Sequence, residues 1–491
     1  MAISFNTLPI TIRTPGVYVE VDASRASKGV GELPHVTLIV GQKTSAGSAT
    51  SGGLYQPRSP DDARALFGQT AQIAETFAAY RSVDPLTEVW CIPLADNASG
   101  VAATGSITWT GPSTEAGSVP FYVGGRRVVV AVPNGTSATA LETLALAAFA
   151  LEADLPVTVG ADAGTGVDFT AVNKGVSGNQ IFLGVALQPG ERIPAGLAFT
   201  VTPMASGATE PAHSAAVTAM GEDQYHTIVV ATSDATQVGL YVTELESRFG
   251  GLRQIDGQIF VGKFDSRANL TTLGNSFNSN TLTLIGSEAS AVKALPWEQA
   301  ARAAAYSALQ AQIQPARALT GKNLLTSAAP RGSRFDRANR DILLSDGVST
   351  TFASSDGREL IERLVTTYQT NSLGFPDQAF QDLSTCRLLS ALRYTMRNRI
   401  GTKFANFLLA NDGSEVTGQP VVTPSIIRSE LIALFGDWAD LAWVERGTID
   451  QFKAELVVER DLSDPNRVNV IMPPDLMNNL LITAASLQFR R

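Results

Sequence analysis

Two separated stretches of this chain carry the same strand–helix alternation, and that pattern limits the fold more than any other feature. His35–Gly41 (HVTLIVG) is an apolar run closed by glycine. Ser59-Pro60-Asp61-Asp62 supplies an N-cap, a proline at the first helical position and early acids, opening a helix to about Phe67. A second helix over about 71–81 leads to a strand over Glu88–Pro93. From Tyr225 the pattern restarts: a strand to Thr232, helix 234–249, strand 257–262, helix 266–275, strand 281–286 and helix 296–312. This order predicts a largely parallel sheet with helices on its faces.

Between the two stretches the texture changes. Short β runs at 106–110, 119–123, 127–132, 156–159, 169–172 and 180–187 alternate with Gly-rich turns, around one helix at about 137–152. Insertions enter at exposed loops. The expected architecture is therefore an α/β domain (31–96 plus 208–314) interrupted by a β-rich module (97–207). A C-terminal α+β domain (315–472) follows. Its long helix over 375–411 has Asp377 and Asp382 early and Arg393, Arg397, Arg399 and Lys403 late, as the macrodipole favours. Leu389, Leu392, Met396, Ile400 and Phe404 give that helix a core stripe. A second helix covers 424–436, and a hairpin pairs 451–461 with 467–472 around Ser463-Asp464-Pro465-Asn466.

Both ends read as strands without an obvious home. In Thr14-Pro-Gly-Val-Tyr-Val-Glu-Val-Asp22, Val17, Val19 and Val21 alternate with polar neighbours, and a small, polar linker follows to residue 31. Residues 1–30 are thus an arm and its tether. After Pro473-Pro474, the apolar stretch 479–489, with Leu481, Leu487 and Phe489, is a second candidate strand in a C-terminal arm (473–491). An exposed strand is a template for pairing with another chain.

The opening ISFNTLPITIRTPGVYVEVD, followed by HVTLIVGQ, resembles that of contractile tail sheath proteins of the Mu-like bacteriophage type. The likeness runs on through GNQIFLGVAL to NRVNVIMPPDLMNNLLITAASLQF. The resemblance implies a subtilisin-like core layer, an outward-facing inserted module and a C-terminal inner layer. It implies stacked hexameric rings of this chain around a tail tube, with contraction driving the tube through the host envelope. It also implies baseplate and tail terminator proteins as partners, and a virion component made in the host bacterial cytoplasm. In this setting Val17, Val19, Val21, Leu481, Leu487 and Phe489 become inter-subunit strand residues. Arg393, Arg397, Arg399 and Lys403, the densest basic group on one helix, become candidate tube contacts; their alternative is local pairing that complements the helix dipole.

A catalytic constellation is not visible. His35, His213 and His226 lie apart from one another and from Cys91 and Cys386, so no metal-ligand spacing arises. Gly257-Gln-Ile-Phe-Val-Gly262-Lys263 has phosphate-loop spacing, but Phe264 stands where Ser or Thr would hold magnesium and the middle residues read as a strand. Gly175-Val-Ser-Gly178 is one residue short of a nucleophile elbow. Asp61/Asp62 and Asp437/Asp440 read as helix-start and solvated carboxylates. No cofactor and no metal are expected. The runner-up readings are an α/β hydrolase-like enzyme with a degenerate site and a carbohydrate-binding module.

Charged residues are only 17% of the chain against about 25% in typical domains, as expected either when surface is covered by other chains or when an Ala/Gly/Thr/Ser-rich composition leaves a bland surface. A net charge of −9 disfavours nucleic acid as a partner, and no apolar run is long enough to span a membrane.

Overall fold

A computed structural model describes residue 14 and residues 33–188, 190–289, 294–414 and 419–490. They divide into two compact units: Pro34–Ser390 with the tail from Asn479, and Ala391–Asn478. The expected N-terminal strand with Val17, Val19 and Val21 lies outside the described residues.

The larger unit is built on an eight-stranded sheet. Its first elements are β1 (Val36–Gln42), α1 (Pro60–Phe67), α2 (Gln72–Arg81) and β2 (Glu88–Leu94). The inserted region then forms β3 (Ala102–Thr110), β4 (Gly117–Val123), β5 (Arg126–Val132), α3 (Ala138–Phe149), β6 (Val157–Ala161), β7 (Gly166–Lys174), β8 (Leu183–Val185) and β9 (Ala198–Ala205). After α4 (Ser214–Ala219) come β10 (Thr227–Val230), α5 (Ala235–Phe249), β11 (Gln258–Asp265), α6 (Arg267–Asn275), β12 (Leu282–Glu288) and α7 (Pro296–Ile313). The unit continues with β13 (Asn323–Ser327), α8 (Arg337–Ser345), β14 (Val348–Ala353) and β15 (Arg358–Arg363).

The strand order is β13-β15-β14-β12-β11-β10-β1-β2. Pairing is parallel from β2 through to β14, and antiparallel where β15 joins β14 and β13. Helices cover both faces, so alternate residues of one strand enter different cores. Ile39, Val229 and Phe260 pack with α1, α2 and α7, whereas Leu38, Val40, Ile228 and Val230 pack with α4, α5 and α6. Burial on both sides explains the continuous apolar runs of these strands. Serine or aspartate caps start the helices: Ser59, Ser137, Asp234 and Ser266 each accept the N–H three residues on.

Three expectations need correction here. The sheet runs past residue 315, taking in β13, β14 and β15, because the polar, alternating segments NLLTS and RELIER form its antiparallel edge. The inserted module contains a four-stranded sheet, β6-β7-β3-β9, and a three-stranded one, β5-β4-β8. It is not a separate body, since its core includes Ala231, Leu295 and Trp297 of the α/β part. Instead of one strand over 180–187, a 3₁₀ turn (Val176–Gln180) precedes the short β8.

Helix α9 spans Leu383–Lys403, a shorter range than expected. Asp377 and Asp382 lie before it and serve the loop: Asp377 accepts the Tyr368 hydroxyl at 2.6 Å, and Asp382 takes Arg363 at 2.9 and 3.0 Å. Its buried face also differs from the expected stripe. Leu388, Ala391, Leu392 and Thr395 are buried, whereas Leu389, Met396, Ile400 and Phe404 are only partly covered.

In the smaller unit, β16 (Leu408–Leu409) pairs with β17 (Val421–Val422), and α10 (Pro424–Asp440) is followed by α11 (Ile449–Glu455). The hairpin β18 (Val457–Arg460) with β19 (Val468–Ile471) is antiparallel and shorter than expected. Of its expected first strand, 451–461, residues 451–455 belong to α11 instead, because Phe452 and Leu456 bury at a spacing of four, a helical period. Phe435 of α10 stacks on Phe452 with centroids 4.3 Å apart, and Trp438 donates its indole N–H to Thr395 Oγ1 at 3.0 Å. Residues 479–490 carry no strand, so the second strand expected there is not formed in this structure.

Candidate functional site

The groups that could do chemistry are held in structural roles. His35 Nε2 and Thr227 Oγ1 lie 2.9 Å apart, and His226 Nδ1 accepts the Val36 N–H at 3.1 Å, the two rings stacking at 5.1 Å. Burial lowers both imidazoles, His226 to about 4. His213 packs edge-on against Tyr241, its Nδ1 2.9 Å from the hydroxyl, and burial brings it to about 4 as well. Cys91 and Cys386 are buried free thiols; burial raises both, Cys386 to about 12. Among the described residues, no group of three or more His, Cys, Asp and Glu is placed to hold a metal. No described helix is long and apolar enough to cross a membrane.

The look-alike motifs resolve in the same way. Gly262 lies within β11, where a Cβ would stand 2.0 Å from the Pro296 carbonyl oxygen, so the glycine serves the approach of α7 to the sheet. Asp62 accepts the Arg58 N–H at 2.9 Å while Ser59 caps the Asp62 N–H at 3.1 Å, and Asp61 pairs with Arg64. Asp437 and Asp440 pair with Arg399 and Arg446.

In open α/β sheets, ligands bind beyond the carboxyl ends of the strands. Here that place is filled by the inserted module. At the end of β1, Gln42 Nε2 donates to Asp96 at 2.8 Å and to the Lys174 carbonyl at 2.6 Å. Asn173 donates to the Lys43 carbonyl and to Asp96. Glu210 accepts both the N–H and the hydroxyl of Ser177, and Gln180 reaches Ser233 beyond β10. These residues are scattered in sequence, and no local pattern announces them.

Other exposed apolar and basic segments lie elsewhere. Hairpin β18–β19 forms a two-stranded sheet of its own, with no third described strand on either edge, and exposes Val457 and Ile471. The tail carries Leu480, Leu481, Ile482, Leu487 and Phe489, with Leu487 95% and Phe489 82% exposed. On α9, Arg399 and Lys403 both bond the carboxylate of Glu430, and Arg399 also lies 3.3 Å from Asp437. Glu430 was missed in the sequence, although its place on α10 was available. Arg397 is exposed and Arg393 partly so.

Residues 206–367 match the phage tail sheath protein central domain, and residues 376–490 match the phage tail sheath C-terminal domain. The chain belongs to the phage tail sheath family. It is of the Mu-like type: it is 34% identical to the Mu-like prophage FluMu tail sheath protein of Haemophilus influenzae, over 100% of both chains. Among solved structures it is similar to the sheath tail protein of Listeria innocua (11% identity, 93% of this chain and 95% of that one, TM-score 0.50). A sheath tail protein from Desulfitobacterium hafniense is also similar (13% identity, 94% and 100% coverage, TM-score 0.49).

Proposed function

We propose that this chain is the contractile sheath subunit of a phage tail, stacking as hexameric rings around a tail tube and contracting to drive the tube through the host envelope. The observation that carries the assembly mode is the apolar tail with no strand partner among the described residues, in a molecule that also holds a two-stranded hairpin with no third described strand on either edge. Backbone pairing of a tail with a neighbour's hairpin contributes about 0.5–1.5 kcal/mol per hydrogen bond, and the bonds act together. Heterologous contacts of this kind do not close on themselves and build helical arrays.

Leu481, Leu487 and Phe489 then serve as inter-subunit strand residues, with Val17, Val19 and Val21 as their counterparts at the other end. The parallel sheet agrees with the subtilisin-like layer that the resemblance implies, and the inserted module faces outward. The subunit has no catalytic role, and energy is stored in the subunit arrangement. Partners are the tube, the baseplate and the tail terminator; the product is a virion component made in the host cytoplasm. Arg397, exposed on α9, leads the candidates for tube contact. Electron microscopy of the purified chain tests the reading: tubes or stacked rings are expected, and a chain lacking residues 1–22 should stay folded but form none. Uniform small particles from the full chain would overturn it.

A further inference from the structure

The root of the C-terminal tail is held by one side chain. Asn479 Oδ1 accepts the Ala318 N–H at 2.8 Å, while Nδ2 donates to the Ala316 carbonyl at 2.9 Å and to Ser384 Oγ at 3.0 Å. Both donor hydrogens and the acceptor of this amide are therefore engaged, and all three partners belong to the larger unit. Just upstream, the chain is tied to the smaller unit instead: Asp475 accepts the Glu445 N–H and Met477 donates to the Trp443 carbonyl. Ownership of the chain changes within two residues. Downstream, exposure alternates, with Leu480 at 86%, Leu481 at 37% and Ile482 at 81%. Leu481 faces a small pocket lined by Leu319, Leu364 and Leu383.

We propose that Asn479 is the anchor that fixes the root and starting direction of the C-terminal arm on the α/β unit, so that the arm is presented to a second copy of this chain by that unit. The inference rests on the strand-donation reading above. Without the anchor, the ordering cost of the arm's root falls on the moment of association. With it, only residues 480–491 remain to be placed, and extended at about 3.3 Å each they reach ~40 Å from a fixed point. The anchor thus raises the effective concentration of the arm at a neighbour's hairpin. Asn479 is a positioning residue: it makes no contact with the neighbour itself.

The test uses four full-length backgrounds, wild type, Asn479→Ala, Asn479→Asp and Ser384→Ala, beside a chain ending at Asn479. The threshold concentration for polymer formation is read by sedimentation. Hydrogen exchange at the Ala318 amide and thermal melting are followed on the unassembled protein. Asn479→Ala is expected to raise the threshold about tenfold or more and to speed exchange at Ala318, with the melting temperature nearly unchanged. Asn479→Asp should do the same, because an oxygen then faces the Ala316 carbonyl. Ser384→Ala, which removes one acceptor, should raise the threshold less and keeps the test open if the Asn479 variants fold poorly. If the truncated chain cannot assemble while the Asn479 variants assemble at the wild-type threshold, the anchor is overturned and strand donation stands. If the truncated chain assembles normally, strand donation itself fails and the anchor with it.

Discussion

Arg399 and Glu430 are hydrogen-bonded across α9 and α10, and Lys403 takes the other oxygen of the same carboxylate. Burial pushes the Glu430 carboxyl up, but hydrogen bonds from Lys403 and Arg399 outweigh it and hold the group below the usual carboxylate range. A carboxylate depressed in the folded state contributes stability that is present above its unfolded value and lost as pH falls through its folded value. Glu430→Gln should therefore cost about 1 kcal/mol near neutrality and flatten the acid side of the stability profile. Equal acid sensitivity in the two proteins would contradict this. On the tube-contact reading proposed above, the pair also distinguishes two expected outcomes on one helix. Arg399→Glu should lower the stability of the smaller unit, whereas Arg397→Glu should weaken co-sedimentation with tube and leave sheath self-assembly intact.

Glu75 behaves in the opposite sense. It lies buried 3.7 Å from Arg126, and burial raises its carboxyl to about 8 despite that arginine, with Glu298 adding to the rise. Arg126 pairs with Glu298 at 2.9 Å, and Arg302 lies 3.6 Å from the same carboxylate. The folded state then holds a proton that the unfolded chain releases near the ordinary carboxylate value. Stability should fall as pH rises from about 4.5 toward 8 and level off above it. Glu75→Gln should remove most of that decline and gain ~1–3 kcal/mol at pH 8. Denaturant unfolding at pH 5 and pH 8 checks it; parallel curves for the two proteins would refute the assignment.

The smaller unit depends on a few aromatic contacts. Phe435 and Trp438 are fully buried on α10, one stacked on Phe452 and the other bonded to Thr395. Phe435→Ala should cost about 3–5 kcal/mol, a large share of the stability of so small a unit. Thr395→Val should cost about 1–3 kcal/mol by orphaning the indole N–H. Hydrogen exchange should show the loss confined to Ala391–Asn478 for both variants. Uniform loss across Pro34–Ser390 would show that the units unfold together.

The parallel part of the fold was legible because burial on both faces writes itself as unbroken apolar runs, as in β1 and β10, and because Ser59, Asp234 and Ser266 mark helix starts. Strands β13 and β15 were not, since an antiparallel edge with charged residues such as Arg358, Glu359 and Glu362 looks like loop. Helix α9 was visible, but its buried face was misplaced: Thr395 is polar and entered the core as an acceptor for Trp438. The exposed apolar residues of 479–489 could be read, although the strand expected there is not formed. Asn479 could not, because an anchor made of one amide and three distant backbone or hydroxyl partners leaves no periodic trace. The same holds for the joint between Asp96, Asn173, Ser177 and Glu210.

That joint has a mechanical consequence. The module leaves the sheet after β2 and returns ahead of β10, the two strands that flank β1. A pull on the module therefore reaches the sheet at two points one strand apart, while Gln42 ties the end of β1 between them to Asp96 and Lys174. Bonds loaded side by side share a force and must give way together; bonds loaded in file open one after another. The module is attached in the first manner, like a bracket on a row of rivets, so that torque applied to it would turn the sheet before it tore the joint.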